Sequence, residues 1–127
     1  MLDLMPGKPK LQPYTLRPVL VDKPWGGRKL TENGKDLPEG VPIGESWEVA
    51  DLSATMPSGG GGGAARSLIA NGPLAGRTLH EALMLWKADL VGERWEDTDE
   101  FPLLVKLIDA GEHLSVQVHP TPDYAAD

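Results

Sequence analysis

The chain contains no cysteine. Disulfide scaffolds, cysteine-ligated zinc, iron–sulfur clusters and thiol nucleophiles are therefore excluded, and any metal must be held by nitrogen and oxygen donors. Positive charge is also scarce: twelve Lys and Arg face nineteen Asp and Glu, a formal charge of −7 with a sequence pI near 4.9. That is the wrong sign for a protein held to a phosphate backbone by counterion release, so no nucleic-acid partner is expected. An anionic small molecule needs only a few local cations and stays open. No stretch approaches the ~18 apolar residues of a membrane span, and the start, Met1 to Lys10, holds no apolar run of secretory length. The expectation is a cytoplasmic protein with no membrane partner.

What is present is an ordinary globular composition, 40% hydrophobic and 24% charged, over 127 residues. That length is enough for one core. Fifteen glycines and twelve prolines point to many turns and a β-rich body. Residues 1–13 hold three prolines and no periodicity, and read as an irregular lead-in. Tyr14 to Val21 is rich in β-formers, with Pro18 confining that strand to an edge or a bulge, and Pro24-Trp25-Gly26-Gly27 carries turn chemistry. Ile43 to Leu52 reads as the next strand, with Trp47 and Val49 on one face and Ser46 and Glu48 on the other. The glycine run Gly59 to Gly63 is not followed by the Gly-Lys-Ser/Thr of a phosphate loop, and 57–68 reads as a flexible, glycine-rich loop insertion.

One helix is expected over 78–91. Thr78 and Glu81 form a capping box, Leu79, Ala82, Leu83, Trp86 and Leu90 recur at spacings of three and four, and Gly92 stands where a C-terminal cap is favoured. The acidic run Glu93 to Glu100 reads as a solvated loop. Phe101 to Ala110 and Leu114 to Pro120 look like two strands, and the Gly111-Glu112-His113 link is short enough for a hairpin.

The sharpest local pattern is the alternation Leu114 to His119. It places Leu114, Val116 and Val118 on one face and Ser115, Gln117 and His119 on the other. At ~3.4 Å per residue, Gln117 and His119 lie about 6.8 Å apart along the strand and could lean onto one ion; a half-exposed polar face would look the same. Lys106 is anomalous inside the apolar run Leu103 to Ile108. It either faces Gln117 and His119 across the hairpin, where its ammonium would neutralise an anion, or sits at an edge with its head in water. His80 and His113 read as surface residues.

Five blocks carry a family resemblance: Pro24-Trp25-Gly26-Gly27, Gly44-Glu45-Ser46-Trp47-Glu48, Ala70-Asn71-Gly72-Pro73-Leu74-Ala75-Gly76, Phe101-Pro102-Leu103-Leu104-Val105-Lys106 and Leu114-Ser115-Val116-Gln117-Val118-His119-Pro120. In this order they resemble the start of type I mannose-6-phosphate isomerases of the short bacterial form. The resemblance implies a mainly β chain with one or two helices, an incomplete cupin-type β jelly roll spanning 1–127 as the amino-terminal part of the domain. It further implies a zinc ion with Gln117 and His119 as two ligands, Lys106 as a catalytic lysine in the cavity, and Trp25, Glu48 and Ser115 as pocket residues. The small-molecule partner would be a sugar phosphate, with mannose 6-phosphate and fructose 6-phosphate interconverted. The Glu and His that complete the zinc site in the family have no counterpart in these 127 residues, so the chain alone is expected to be inactive. A non-catalytic sugar-phosphate or protein-binding half-cupin module is the alternative.

Overall fold

The computed structural model describes residues 9–53, 65–93, 100–116, 118 and 121. Its strands are β1 (Leu16–Arg17), β2 (Val19–Gly27), β3 (Ile43–Val49), β4 (Asp51–Leu52), β5 (Ala65–Arg66), β6 (Leu68–Ile69) and β7 (Val105–Ile108). The helices are α1 (Leu79–Trp86) and α2 (Ala88–Val91), and a short 3-10 helix spans Lys29–Asn33. The mainly β architecture with two helices matches expectation. The sheets are not closed: β2-β3-β7 forms a three-stranded antiparallel sheet, while β1 pairs with β6 and β4 with β5. No helix among the described residues is long and apolar enough to cross a membrane.

Pro18 marks the point at which the chain changes sheet. It lacks an N–H for either ladder, and Leu16 pairs with Ile69 on one side of it while Val19 pairs with Trp47 on the other. The expected turn at Pro24 to Gly27 is instead the far end of β2, bent by register shifts that let both Asp22 and Gly27 pair with Ile43. Gly26 allows this bend. A Cβ there would stand 2.5 Å from the Gly44 nitrogen and 2.6 Å from the Ile43 carbonyl carbon, and backbone at that distance cannot yield.

Two small cores form among the described residues. Ile69, Leu74, Ala82 and Trp86 pack together under Tyr14, Leu16, Leu85 and Leu90, and Leu30, Leu37 and Ile43 pack with Leu20 and Val41. The Thr78–Glu81 capping box forms as expected, with the Thr78 hydroxyl accepting from the Glu81 N–H and the Glu81 carboxylate accepting from the Thr78 N–H. The single helix expected over 78–91 is two, because Lys87 takes φ 46° and ends α1. Of the expected loop 57–68, residues 57–64 lie outside the described residues, and Ala65–Arg66 and Leu68 lie in β5 and β6. The acidic run falls largely on 94–99, also outside them.

The hairpin differs from expectation as well. β7 pairs with β3, and no strand is formed by the described residues of 114–118. The amides that a Gly111-Glu112-His113 turn would need are turned elsewhere: the Gly111 and Glu112 N–H groups both donate to the Trp25 carbonyl, at 2.8 and 3.2 Å.

Candidate active site

β3 presents two rows of side chains, and the structure separates them chemically. Glu45 and Trp47 share one face, where Trp47 is opposite Lys106 and Glu45 opposite Ile108 in the ladder with β7. There the Trp47 indole Nε1 donates to Glu45 Oε2 at 2.8 Å and the Lys106 ammonium donates to Glu45 Oε1 at 3.1 Å. Glu45 is only 5% exposed and Trp47 2%, whereas the Lys106 side chain keeps 32% of its surface in solvent. Burial alone would raise the Glu45 pKa. The hydrogen bonds from Trp47 and Lys106, with the charges of Lys106 and Lys23, outweigh it and hold the carboxyl below its ordinary range.

Ser46 and Glu48 lie on the opposite face. Glu48 accepts from the Ser46 hydroxyl and from Lys35 Nζ, both at 2.7 Å. Its pKa is again lowered on balance, burial being overcome by those two hydrogen bonds and the Lys35 charge. Glu48 and Lys106 are therefore not brought together; Glu45 is the carboxylate that meets the lysine. Sequence reasoning passed over Glu45, although the same period-two rule that separates Trp47 from Glu48 puts Glu45 beside Trp47.

Trp25 is half-buried, with its ring over Gly44, where an added Cβ would meet Trp25 Cζ3 at 2.7 Å. Its carbonyl fastens residues 111 and 112, which with His113 line an open depression of about 580 Å³. Asp109 anchors the same corner. Its N–H donates to the Gly44 carbonyl and its carboxylate accepts from the Lys29 N–H at 2.7 Å. Ser115 is exposed. Gln117 and His119 lie outside the described residues. Among the described residues no group of three His, Cys, Asp or Glu side chains could hold a metal ion, and Glu45 is already committed to two donors. The described side chains thus supply no zinc site of their own.

His113 is exposed, as expected, but His80 is not a free surface residue. Its Nδ1 lies 3.0 Å from Oδ2 of Asp51, a fully buried carboxylate that also accepts the Phe101 N–H at 2.9 Å. Asp51 Oδ1 stands 3.2 Å from Arg66 Nε, near enough for an ion pair though not aligned for a hydrogen bond. This cluster joins β4, β5, α1 and the approach to β7, so it holds the scaffold that delivers Lys106.

A family description, phosphomannose isomerase type I, catalytic domain, matches residues 14–127. The chain belongs to the type I phosphomannose isomerase family. A probable mannose-6-phosphate isomerase of Bacillus subtilis (GmuF) is 42% identical over 114 residues, covering 89% of this chain and 32% of the relative. A mannose-6-phosphate isomerase of Streptococcus mutans is 35% identical over 117 residues, covering 91% and 33%. The crystal structure of the mannose 6-phosphate isomerase from Bacillus subtilis matches with a TM-score of 0.67 at 37% identity, over 91% of this chain and 33% of that one. The chain thus spans about a third of the length of the relatives it matches.

Proposed function

We propose that the chain forms part of the substrate cavity of a zinc-dependent aldose–ketose isomerase that interconverts mannose 6-phosphate and fructose 6-phosphate, and that it does not turn over substrate alone. The observation that carries the reading is the Lys106–Glu45–Trp47 grouping in a chain 42% identical to a probable mannose-6-phosphate isomerase. Isomerisation moves a proton between C1 and C2 of the sugar and places negative charge on their oxygens. The partly exposed Lys106 ammonium supplies positive charge for that site or for the phosphate. Glu45, kept ionised, acts as its counter-ion and fixes its direction, so it is a positioning residue. Trp25, Glu48 and Ser115 are carried as substrate contacts by the family resemblance alone; Glu45 is favoured by contact.

Gln117 and His119 are proposed as two donors to one zinc ion, which when bound would act as a Lewis acid toward the sugar oxygens. The test is a chimera in which residues 14–127 replace the matched third of the Bacillus subtilis enzyme. We expect isomerase activity and bound zinc, a loss of about 100-fold in kcat/KM for Lys106→Ala, and loss of zinc for His119→Ala. A folded chimera that binds the sugar phosphate without turnover would support the non-catalytic binding module instead.

A further inference from the structure

Trp25 is followed by two glycines because the fold is too crowded there for side chains. A Cβ on Gly26 would run into the backbone of Ile43 and Gly44, and one on Gly27 would lie 2.6 Å from Oδ2 of Asp109 and 2.9 Å from its Cγ. Glycine loses more conformational freedom on folding than any other residue, so a tryptophan beside two of them needs an outside restraint to keep its ring in one position. Residues 109–112 supply it. The Trp25 carbonyl accepts the Gly111 and Glu112 N–H groups at 2.8 and 3.2 Å, and Gly26 bridges to Ala110. The Asp109 carboxylate accepts the Lys29 N–H at 2.7 Å, across 80 positions of sequence.

Asp109 is itself fixed to β3. Its own N–H donates to the Gly44 carbonyl at 2.8 Å, and the Trp25 ring lies over that same Gly44. Its backbone therefore holds the strand beneath the ring, while its side chain holds the segment that leaves the ring. Asp109 is only 7% exposed. Burying a carboxylate carries a desolvation cost that an apolar side chain of similar size would not, so the position selects an acceptor and not only a volume. We propose that Asp109 is a positioning residue for the isomerase reaction that acts through Trp25, an assignment that rests on the reading of Trp25 as a substrate contact. Its carboxylate holds residues 25–29 so that the indole forms a fixed wall of the sugar-phosphate cavity. Glu45 directs the Lys106 ammonium from within β3; Asp109 directs the aromatic wall from the end of β7.

The experiment has two arms. In the 127-residue chain labelled with fluorotryptophan, the Trp25 fluorine signal, assigned by its loss in Trp25→Phe, should shift and broaden in Asp109→Ala. It should return in Asp109→Asn, whose amide oxygen can still accept the Lys29 N–H, and the Trp86 signal, from the core that contains Ile69 and Leu74, should stay in place throughout. In the chimera, Asp109→Ala should raise KM about tenfold with kcat within about twofold, the pattern of a lost contact made equally in ground and transition states. Asp109→Asn should restore KM. On a Trp25→Ala background, Asp109→Ala should raise KM no further, because residues that act through one another are not additive. An unmoved Trp25 signal, a fall in kcat with KM unchanged, or full additivity of the two substitutions would each overturn the proposal. Should Asp109→Ala not fold, hydrogen exchange in the unsubstituted chain decides. The amide of Lys29, an exposed residue, should then exchange at least about tenfold more slowly than in an unfolded chain, and free exchange there would overturn the proposal. An inactive unsubstituted chimera would overturn the isomerase reading itself; the fluorine and exchange measurements need no substrate and keep that failure distinct.

Discussion

Strands β3 and β7 lie side by side and reverse the usual relation between hydropathy and burial. Residues 43 to 47 of β3 include a glutamate and a serine, and all five are buried; all four residues of β7, Val-Lys-Leu-Ile, are exposed. Among the described residues, β3 is flanked on both sides and β7 on one. The polar groups of β3 tolerate burial because each has a partner: Glu45 accepts from Trp47 and Lys106, and the Ser46 hydroxyl donates a hydrogen bond to Glu48. β7 shows the converse, an apolar segment made for an interior and here left at a boundary.

The largest effect that would sharpen the contrast is in the core of β3. Trp47→Ala deletes a side chain 2% exposed and should cost about 3–5 kcal/mol in urea unfolding, whereas Leu107→Ala on β7 should cost about 1 kcal/mol or less. Equal losses at the two positions would mean that β7 is covered in solution. Next in size is Glu45→Ala, which strands the Trp47 N–H and the Lys106 ammonium and should cost about 1–3 kcal/mol. Glu48→Ala, whose partner Lys35 is itself partly solvated, should cost about 1 kcal/mol or less. In the chimera Glu45→Gln should shift the pH profile of kcat/KM through its effect on Lys106.

Local rules in the sequence account for the parts of this comparison that local forces decide. The capping box at Thr78 and Glu81, the strand break at Pro18 and the alternation that sets Trp47 apart from Glu48 each depend on neighbours within a few residues, and each is present. Partner choice is a different matter. Hairpin pairing of 101–110 with 114–120 is the shorter closure, yet β7 pairs with β3, some 60 residues earlier, and the 111 and 112 amides dock on the Trp25 carbonyl. The same long-range pairing selects Glu45 over Glu48 as the partner of Lys106, and no spacing within 43–49 encodes which face β7 will meet. His80 was hidden for the same reason: its partner Asp51 lies 29 residues away.

Acid should expose the β3 arrangement by a smaller, pH-dependent effect. The Glu45 carboxyl titrates below its ordinary value of 4.5 in the folded chain, so its contribution is fully present above that value and is lost as pH falls through the lower folded value. Glu48, Glu81 and Glu100 are lowered as well, but they titrate alike in wild type and in Glu45→Gln and cancel in the difference. The stability gap between the two proteins should be constant near neutrality and should narrow as pH drops below about 4.5. A gap independent of pH would mean that Lys106 does not hold Glu45 ionised.

The smallest change is expected at the edge itself. Ile108→Lys replaces a side chain that is 50% exposed, and its backbone N–H faces away from β3, so no ladder bond is disturbed. Unfolding free energy should move by no more than about 0.5 kcal/mol. A loss of more than 2 kcal/mol measured by urea unfolding would place Ile108 in a packed interior. It would also remove the distinction between a strand buried by its neighbours and one exposed along its length.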